Sequence, residues 1–96
     1  MYIVQIEHLT TGYDTWKAAF DSDPVGREQG GVRRYRISRP VDEPDYVVVD
    51  LEFDDRDRAV AFQGALERMW AGPQAQQLLG STPRARLVET VESVAF

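Results

Sequence analysis

The sequence predicts an α+β protein in which helices cover one face of a four-stranded antiparallel sheet. Residues 26–53 have the pattern of a β-hairpin, because apolar and charged residues alternate along two segments that flank a turn rich in proline and acids. Apolar stripes of helical period lie before and after this hairpin. The apolar face of the sheet therefore needs the helices as cover, whereas the charged face stays open.

The first strand is predicted over residues 2–9, with four side chains on the face that the helices cover: Tyr2, Val4, Ile6 and His8. Thr11 followed by Asp14 resembles a capping box, which predicts a helix over residues 13–21. The apolar stripe of this helix is aromatic: Tyr13, Trp16 and Phe20. The loop at residues 26–31 contains three glycines and little to fix it, so we expect it to be the most flexible segment.

The two hairpin strands are predicted over residues 32–39 and 46–53. Their charges match best when Arg34 lies opposite Glu52, and Arg36 then lies opposite Asp50. Each such cross-strand pair contributes roughly 0.2–1 kcal/mol. A shift by one residue would exchange the two faces, so the alternation specifies the register.

A second helix is predicted over residues 56–70, after two aspartates and before a Gly-Pro stop. Its buried stripe is Ala59, Phe62, Leu66 and Met69. A short helix is predicted over residues 73–79, and a long last strand over residues 84–96. Because this last strand is longer than the first, we expect its apolar end at Phe96 to pack onto a second subunit.

The order strand, helix, strand, strand, helix, strand predicts a ferredoxin-like sheet, with strand order 4-1-3-2 and both main helices on one face. The length of 96 residues predicts one domain over residues 1–96. The first strand lies in the middle of this sheet. Glu7 is therefore expected near the centre of the open face.

Charge and composition exclude several classes of partner. The net charge of -5 and the pI of about 4.7 argue against nucleic acid and anionic membranes, which need clustered positive charge. There is no cysteine, and a lone histidine does not make a metal site. No apolar run reaches the roughly 20 residues of a membrane helix, and residues 1–9 resemble a strand rather than a signal peptide. We expect a cytoplasmic protein without a cofactor.

One stretch of motifs resembles a known family. It comprises Gly31, Val32, Tyr35, Arg36, Arg39, Val47 to Val49, Glu52, Phe53, Asp54, Ala61 and Phe62. This pattern is similar to the dimeric α/β-barrel superfamily, of which the antibiotic-biosynthesis monooxygenase-like proteins are the best-known branch. The resemblance implies a homodimer whose two open sheet faces form a barrel. The chain has no asparagine, whereas the haem-degrading and quinone-forming branches use one, and the haem branch takes its ligand histidine from the second helix.

Two residues of the first strand are candidates for proton transfer. Burial on the barrel side would make Glu7 a general acid or base, unless Arg86, or Arg34 from a second subunit, neutralises it. His8 would serve as a proton shuttle because its ordinary pKa lies near neutrality. Alternatively, His8 only packs at the end of the sheet against the first helix or its loop.

The candidate ligand-binding residues are Arg34, Arg36, Asp50, Glu52, Trp70 and Arg86. Arginine forks suit carboxylates, but a charged quartet of this kind is also typical of a self-complementary dimer face. The sequence therefore favours a homodimeric module that binds a small molecule without catalysis. The alternative is a cofactor-independent monooxygenase, isomerase or cyclase that acts on an aromatic or polyketide-like compound.

Overall fold

A computed structural model describes all 96 residues. Its elements in chain order are β1 (Tyr2–Leu9), α1 (Tyr13–Asp21), β2 (Val32–Ser38), β3 (Tyr46–Phe53), α2 (Arg56–Trp70), α3 (Pro73–Gln76) and β4 (Arg84–Glu89). The strands form one antiparallel sheet in the order β2-β3-β1-β4. This is the predicted order read from the other edge, so the ferredoxin-like topology is confirmed. No helix is long and apolar enough to cross a membrane.

The core lies between the sheet and the helices. Alternate residues of β1 and β3 are buried there: Val4, Ile6, Val47, Val49, Leu51 and Phe53. The helix residues that pack onto them are Trp16, Ala59, Phe62 and Leu66. Burial of one large apolar side chain contributes about 1.5–3 kcal/mol. The alternation in the sequence thus assigned the covered face of both central strands correctly.

The predicted register of the hairpin is confirmed, with Arg34 opposite Glu52 and Arg36 opposite Asp50. Only the first pair forms an ion pair, with Arg34 Nε 3.3 Å from a Glu52 carboxylate oxygen. The Asp50 carboxylate instead accepts a hydrogen bond from Gln5 on β1. A bulge at the start of β2 shifts the register between Val32 and Arg34.

The predicted capping box before α1 is wrong. Gly12 occupies the cap position, and no side chain there bonds to the first turn. Thr11 lies one residue outside the cap, and its hydroxyl donates to the Gln77 carbonyl instead. The first turn is stabilised from a distant loop, because the Tyr13 amide donates to an Asp45 carboxylate oxygen at 3.2 Å.

The end of the chain differs from its prediction in two places. The short helix stops at Gln76 rather than residue 79, and Leu79 instead forms a bridge with Thr10. The last strand ends at Glu89, which is paired with Tyr2, the first residue of β1, and one further bond runs from the Thr90 amide to the Met1 carbonyl. Residues 91–96 are exposed, so the packing of Phe96 onto a second subunit stays a prediction.

The glycine loop is more constrained than its composition indicated. The Gly30 amide donates to the Gly26 carbonyl at 2.9 Å, and the Val32 amide donates to the Arg27 carbonyl at 3.0 Å. Gly26 and Gly31 have φ angles of 81° and 100°, which only glycine adopts freely. These left-handed residues fold the loop back on itself, so the expectation that little fixes it was wrong.

Candidate functional site

The site best formed for a ligand is an apolar cavity of about 290 Å³ on the helix-covered side of the sheet. It lies between β1 and β3 below and α1, α2, α3 and the segment after α1 above. Most of its lining is apolar: Ile6, Trp16, Ala19, Phe20, Pro24, Val25, Val49, Leu51, Phe62, Leu66, Met69, Trp70, Ala75, Leu78 and Leu79. The volume lies at the lower end of the range of small-molecule sites.

A row of aromatic rings follows α1 along one side of this cavity. The His8 and Trp16 ring centroids are 6.0 Å apart in an edge-to-face arrangement, and Trp16 and Phe20 are 5.2 Å apart. Phe20 then meets Tyr35 of β2 at 5.1 Å. The four-residue spacing of Trp16 and Phe20 places both rings on one side of the helix. The aromatic surface of the cavity therefore runs from His8 at the end of β1 to Phe20, whose ring in turn contacts the edge strand.

His8 lines the cavity and is almost fully buried. Its Nδ1 lies 2.7 Å from the Leu9 carbonyl oxygen, which can only accept, so Nδ1 carries the proton. Burial lowers the pKa of His8, although the bond to Leu9 partly opposes this change. The imidazole is therefore neutral near pH 7, and its Nε2, which has no partner in the chain, is free to accept a hydrogen bond.

Acid should destabilise the protein through His8. Because burial lowers its pKa below the ordinary 6.5, the unfolded chain binds a proton more readily, so stability is full above about pH 6.5 and falls as the pH decreases toward the folded pKa. Urea unfolding at several pH values between about 5 and 7.5 should show this decline in the wild type but not in His8→Gln. His8 is the only histidine. If the free energy of unfolding depended on pH equally in both proteins, that result would contradict the burial of His8.

The end of the cavity beside His8 is covered by the segment from α3 to residue 81. The Thr11 amide donates to the Leu78 carbonyl at 3.1 Å, and the Gly80 amide donates to the Leu9 carbonyl at 2.8 Å. The Ser81 hydroxyl accepts from the Leu9 amide at 2.9 Å. These bonds hold the segment across the end of β1.

The candidate residues from the sequence divide between the two faces of the sheet. Trp70 lines the cavity together with His8. The others lie on the open face: Glu7, Arg34, Arg36, Asp50, Glu52 and Arg86. Neighbouring residues of a strand point to opposite faces, so Glu7 and His8 cannot act on the same group of a ligand.

The open face holds a hydrogen-bond chain across three strands. Arg86 Nη2 donates to Gln5 Oε1 at 2.9 Å, and Gln5 Nε2 donates to Asp50 Oδ1 at 3.2 Å. Arg86 thus contacts Gln5 rather than Glu7. Glu7 instead accepts a bond of 2.7 Å from the Tyr46 hydroxyl, and this bond raises the pKa of Tyr46. These contacts order a polar surface rather than enclose a pocket.

No pattern in the sequence selected Arg27, which lies at the cavity. It stands in a loop without periodicity, and only its aromatic neighbours in space distinguish it. Nor did the sequence indicate that Leu78 and Leu79 would line a cavity. No three His, Cys, Asp or Glu side chains come together as a group that could hold a metal ion.

Solved structures resemble this chain along almost its whole length. SnoaB, a cofactor-independent oxygenase from Streptomyces nogalater, matches with a TM-score of 0.72 at 17% identity, over 97% of this chain and 95% of SnoaB. An antibiotic biosynthesis monooxygenase matches with a TM-score of 0.68 at 14% identity, over 96% of this chain and 100% of its own. A dimeric ferredoxin-like protein from an uncultured marine organism matches with a TM-score of 0.65 at 16% identity, over 97% and 98%.

Neither a protein-family model nor a curated protein sequence matches the chain. At these low identities the likeness establishes the fold. The protein is an α+β protein with a ferredoxin-like sheet. More particularly, it has the fold of the antibiotic-biosynthesis monooxygenase-like and dimeric ferredoxin-like proteins, as the hairpin motifs predicted.

Proposed function

We propose that this protein is a homodimeric binding module that takes an apolar, ring-bearing small molecule into the helix-side cavity of each subunit. The observation that supports binding is the cavity itself, in which an aromatic row leads to a neutral His8 with a free Nε2 acceptor. Apolar walls with few placed polar groups are typical of small-molecule sites. A flat ligand with a hydroxyl donor suits this arrangement.

The dimer is supported by the open face of the sheet. Arginines lie on both edge strands, and acids lie on the two central strands: Arg34, Arg36, Arg84 and Arg86 against Glu7, Asp50 and Glu52. A two-fold interface needs a surface that can match its own copy, and a face that carries both arginines and acids can do so. The marine protein of the same fold is dimeric by its description.

Filling the cavity should weaken binding without harming the fold. Ala19 lines the cavity, so Ala19→Leu places three further carbons inside it, whereas Ala18 on the same helix is exposed and does not line it. In calorimetric titration with 2-naphthol, we expect wild type and Ala18→Leu to bind with a Kd on the order of 100 µM. Ala19→Leu should bind at least about 10-fold more weakly. Equal affinities in all three proteins would place the ligand outside the cavity.

Catalysis by His8 is the second candidate function, and its neutral, unpartnered Nε2 is the observation that favours it. A neutral imidazole in an apolar site accepts a proton from a bound hydroxyl or activated carbon. This role corresponds to the cofactor-independent monooxygenase, isomerase or cyclase considered from the sequence. Recovery of 2-naphthol unchanged after prolonged incubation in air supports the binding module. A product that forms with wild type but not with His8→Gln supports catalysis.

A further inference from the structure

Arg27 is the only lysine or arginine among the residues that line the apolar cavity. Its side chain is only 17% exposed, and the guanidinium stacks on two rings. The guanidinium carbon lies 4.0 Å from the Phe20 ring centroid and 5.1 Å from that of Tyr35. These rings fix the plane of the guanidinium at the wall of the cavity, at the Phe20 end of the aromatic row.

Most of the hydrogen-bonding capacity of Arg27 is unused. A guanidinium has five N–H donors, and only one bonds within the chain, from Nη1 to the Phe20 carbonyl at 2.8 Å. No side-chain nitrogen of the protein is both buried and without a partner, so Nε and Nη2, which have no partner in the chain, are not sealed inside it. The guanidinium is therefore held in place while most of its donors remain available.

The nearest carboxylate competes weakly for these donors. Asp23 Oδ1 forms an ion pair with Nη1 at 3.6 Å, which is longer than a hydrogen bond, and the same oxygen accepts from the Arg27 backbone amide at 2.9 Å. Asp23 holds this position with a φ of 54°, in the left-handed region that aspartate tolerates better than most residues. Its carboxylate is thus used to shape the turn.

The position of Arg27 also suits a ligand with one polar end. Besides the apolar cavity, Arg27 borders a polar surface groove that is lined by arginines, among them Arg33 and Arg58, and equally by carboxylates, among them Asp54 and Asp55. A ligand whose apolar body fills the cavity could therefore present its polar end to the guanidinium near solvent. Guanidinium forks bind carboxylates with paired, charge-assisted hydrogen bonds.

Resting on the proposed function, we propose that the ligand is an apolar acid and that Arg27 is the residue that selects its carboxylate. His8 and Arg27 then differ in what they recognise. The neutral imidazole accepts from a hydroxyl, whereas the guanidinium donates to an anion. The ligand class follows as a flat, ring-bearing carboxylic acid, ionised at neutral pH.

A pair of probes that differ only in charge tests this assignment. In calorimetric titration, wild type should bind 2-naphthoate about 10-fold more tightly than the neutral 2-naphthamide, as expected for a bond to a charged group. Arg27→Gln keeps a donor for the Phe20 carbonyl but loses the charge, so the preference should fall to within about 2-fold. Arg56→Gln removes an exposed arginine that lines neither the cavity nor the groove and should retain the full preference.

Three outcomes would overturn the inference. Equal affinity of wild type for both probes refutes the selection of a carboxylate but leaves the binding function intact. Undiminished binding of 2-naphthoate by Ala19→Leu places the acid outside the cavity. Absence of binding for both probes and for 2-naphthol refutes the binding function itself. If Arg27→Gln does not fold, Arg27→Lys replaces it. This variant should still bind 2-naphthoate more tightly than 2-naphthamide, but by a smaller factor than wild type.

Discussion

Asp50→Arg is expected to convert the proposed homodimer into a monomer at micromolar concentration. Asp50 is half-buried near the centre of the open face, opposite Arg36 and joined to Arg86 through Gln5. A further arginine at this position adds positive charge beside the arginines that the face already carries. A two-fold interface contains the substitution twice, once from each subunit. Like charges in contact cost several kcal/mol, so the dimer Kd should rise on the order of 100-fold. Sedimentation velocity over a range of concentrations measures this change.

Two further variants separate the interface from the fold. Glu67→Arg makes the same change of charge on the exposed side of α2 and should leave the dimer intact. Arg36→Asp combined with Asp50→Arg restores opposite charges within the hairpin and should recover part of the dimer affinity. A wild type that sediments as a monomer would refute the dimer. A dimer of Asp50→Arg as tight as wild type would place the interface on another surface.

Gly30→Ala should destabilise the protein by about 1–3 kcal/mol, because the new methyl group overpacks the core. A Cβ at this position would lie 2.5 Å from the Phe62 ring, which is buried against Phe53. The ring cannot withdraw without displacing that neighbour. For a domain of this size, each kcal/mol lowers the Tm by about 4–8 °C. Thermal and urea unfolding measure the effect.

Gly64→Ala is the matched control, and it should change the stability in the opposite direction. Gly64 lies inside α2, where a Cβ would meet only the flexible end of Arg68 at 3.4 Å. Gly64→Ala should therefore stabilise the protein by roughly 0.5–1 kcal/mol through helix propensity. If Gly30→Ala is as stable as wild type, the loop does not pack on Phe62 as described. Because this loop carries Arg27, such a result would also weaken the case for a fixed guanidinium.

The positions of the first three strands and the two main helices could be predicted from the sequence to the residue or nearly so. Alternation along β1 and β3 reports which side chains are buried, since neighbours on a strand face opposite sides. The hairpin register followed from the same alternation, together with the charges of Arg34, Glu52, Arg36 and Asp50. These features depend on residues close in the chain or on a single repeating period, and the sequence shows both kinds of pattern directly.

The tertiary structure decided where the site lies and which residues line it. The sequence directed attention to the open face around Glu7, whereas the cavity lies on the covered side, where His8 and Trp70 meet Leu78 and Leu79. A cavity is the volume that packed elements leave unfilled, and no local pattern encodes that volume. The alignment of Arg27 on Phe20 and Tyr35 likewise depends on how a loop folds back onto a helix and an edge strand. The end of β4 at Glu89 has the same kind of cause, because a strand continues only while a paired strand offers backbone hydrogen bonds, and Glu89 is paired with Tyr2, the first residue of β1.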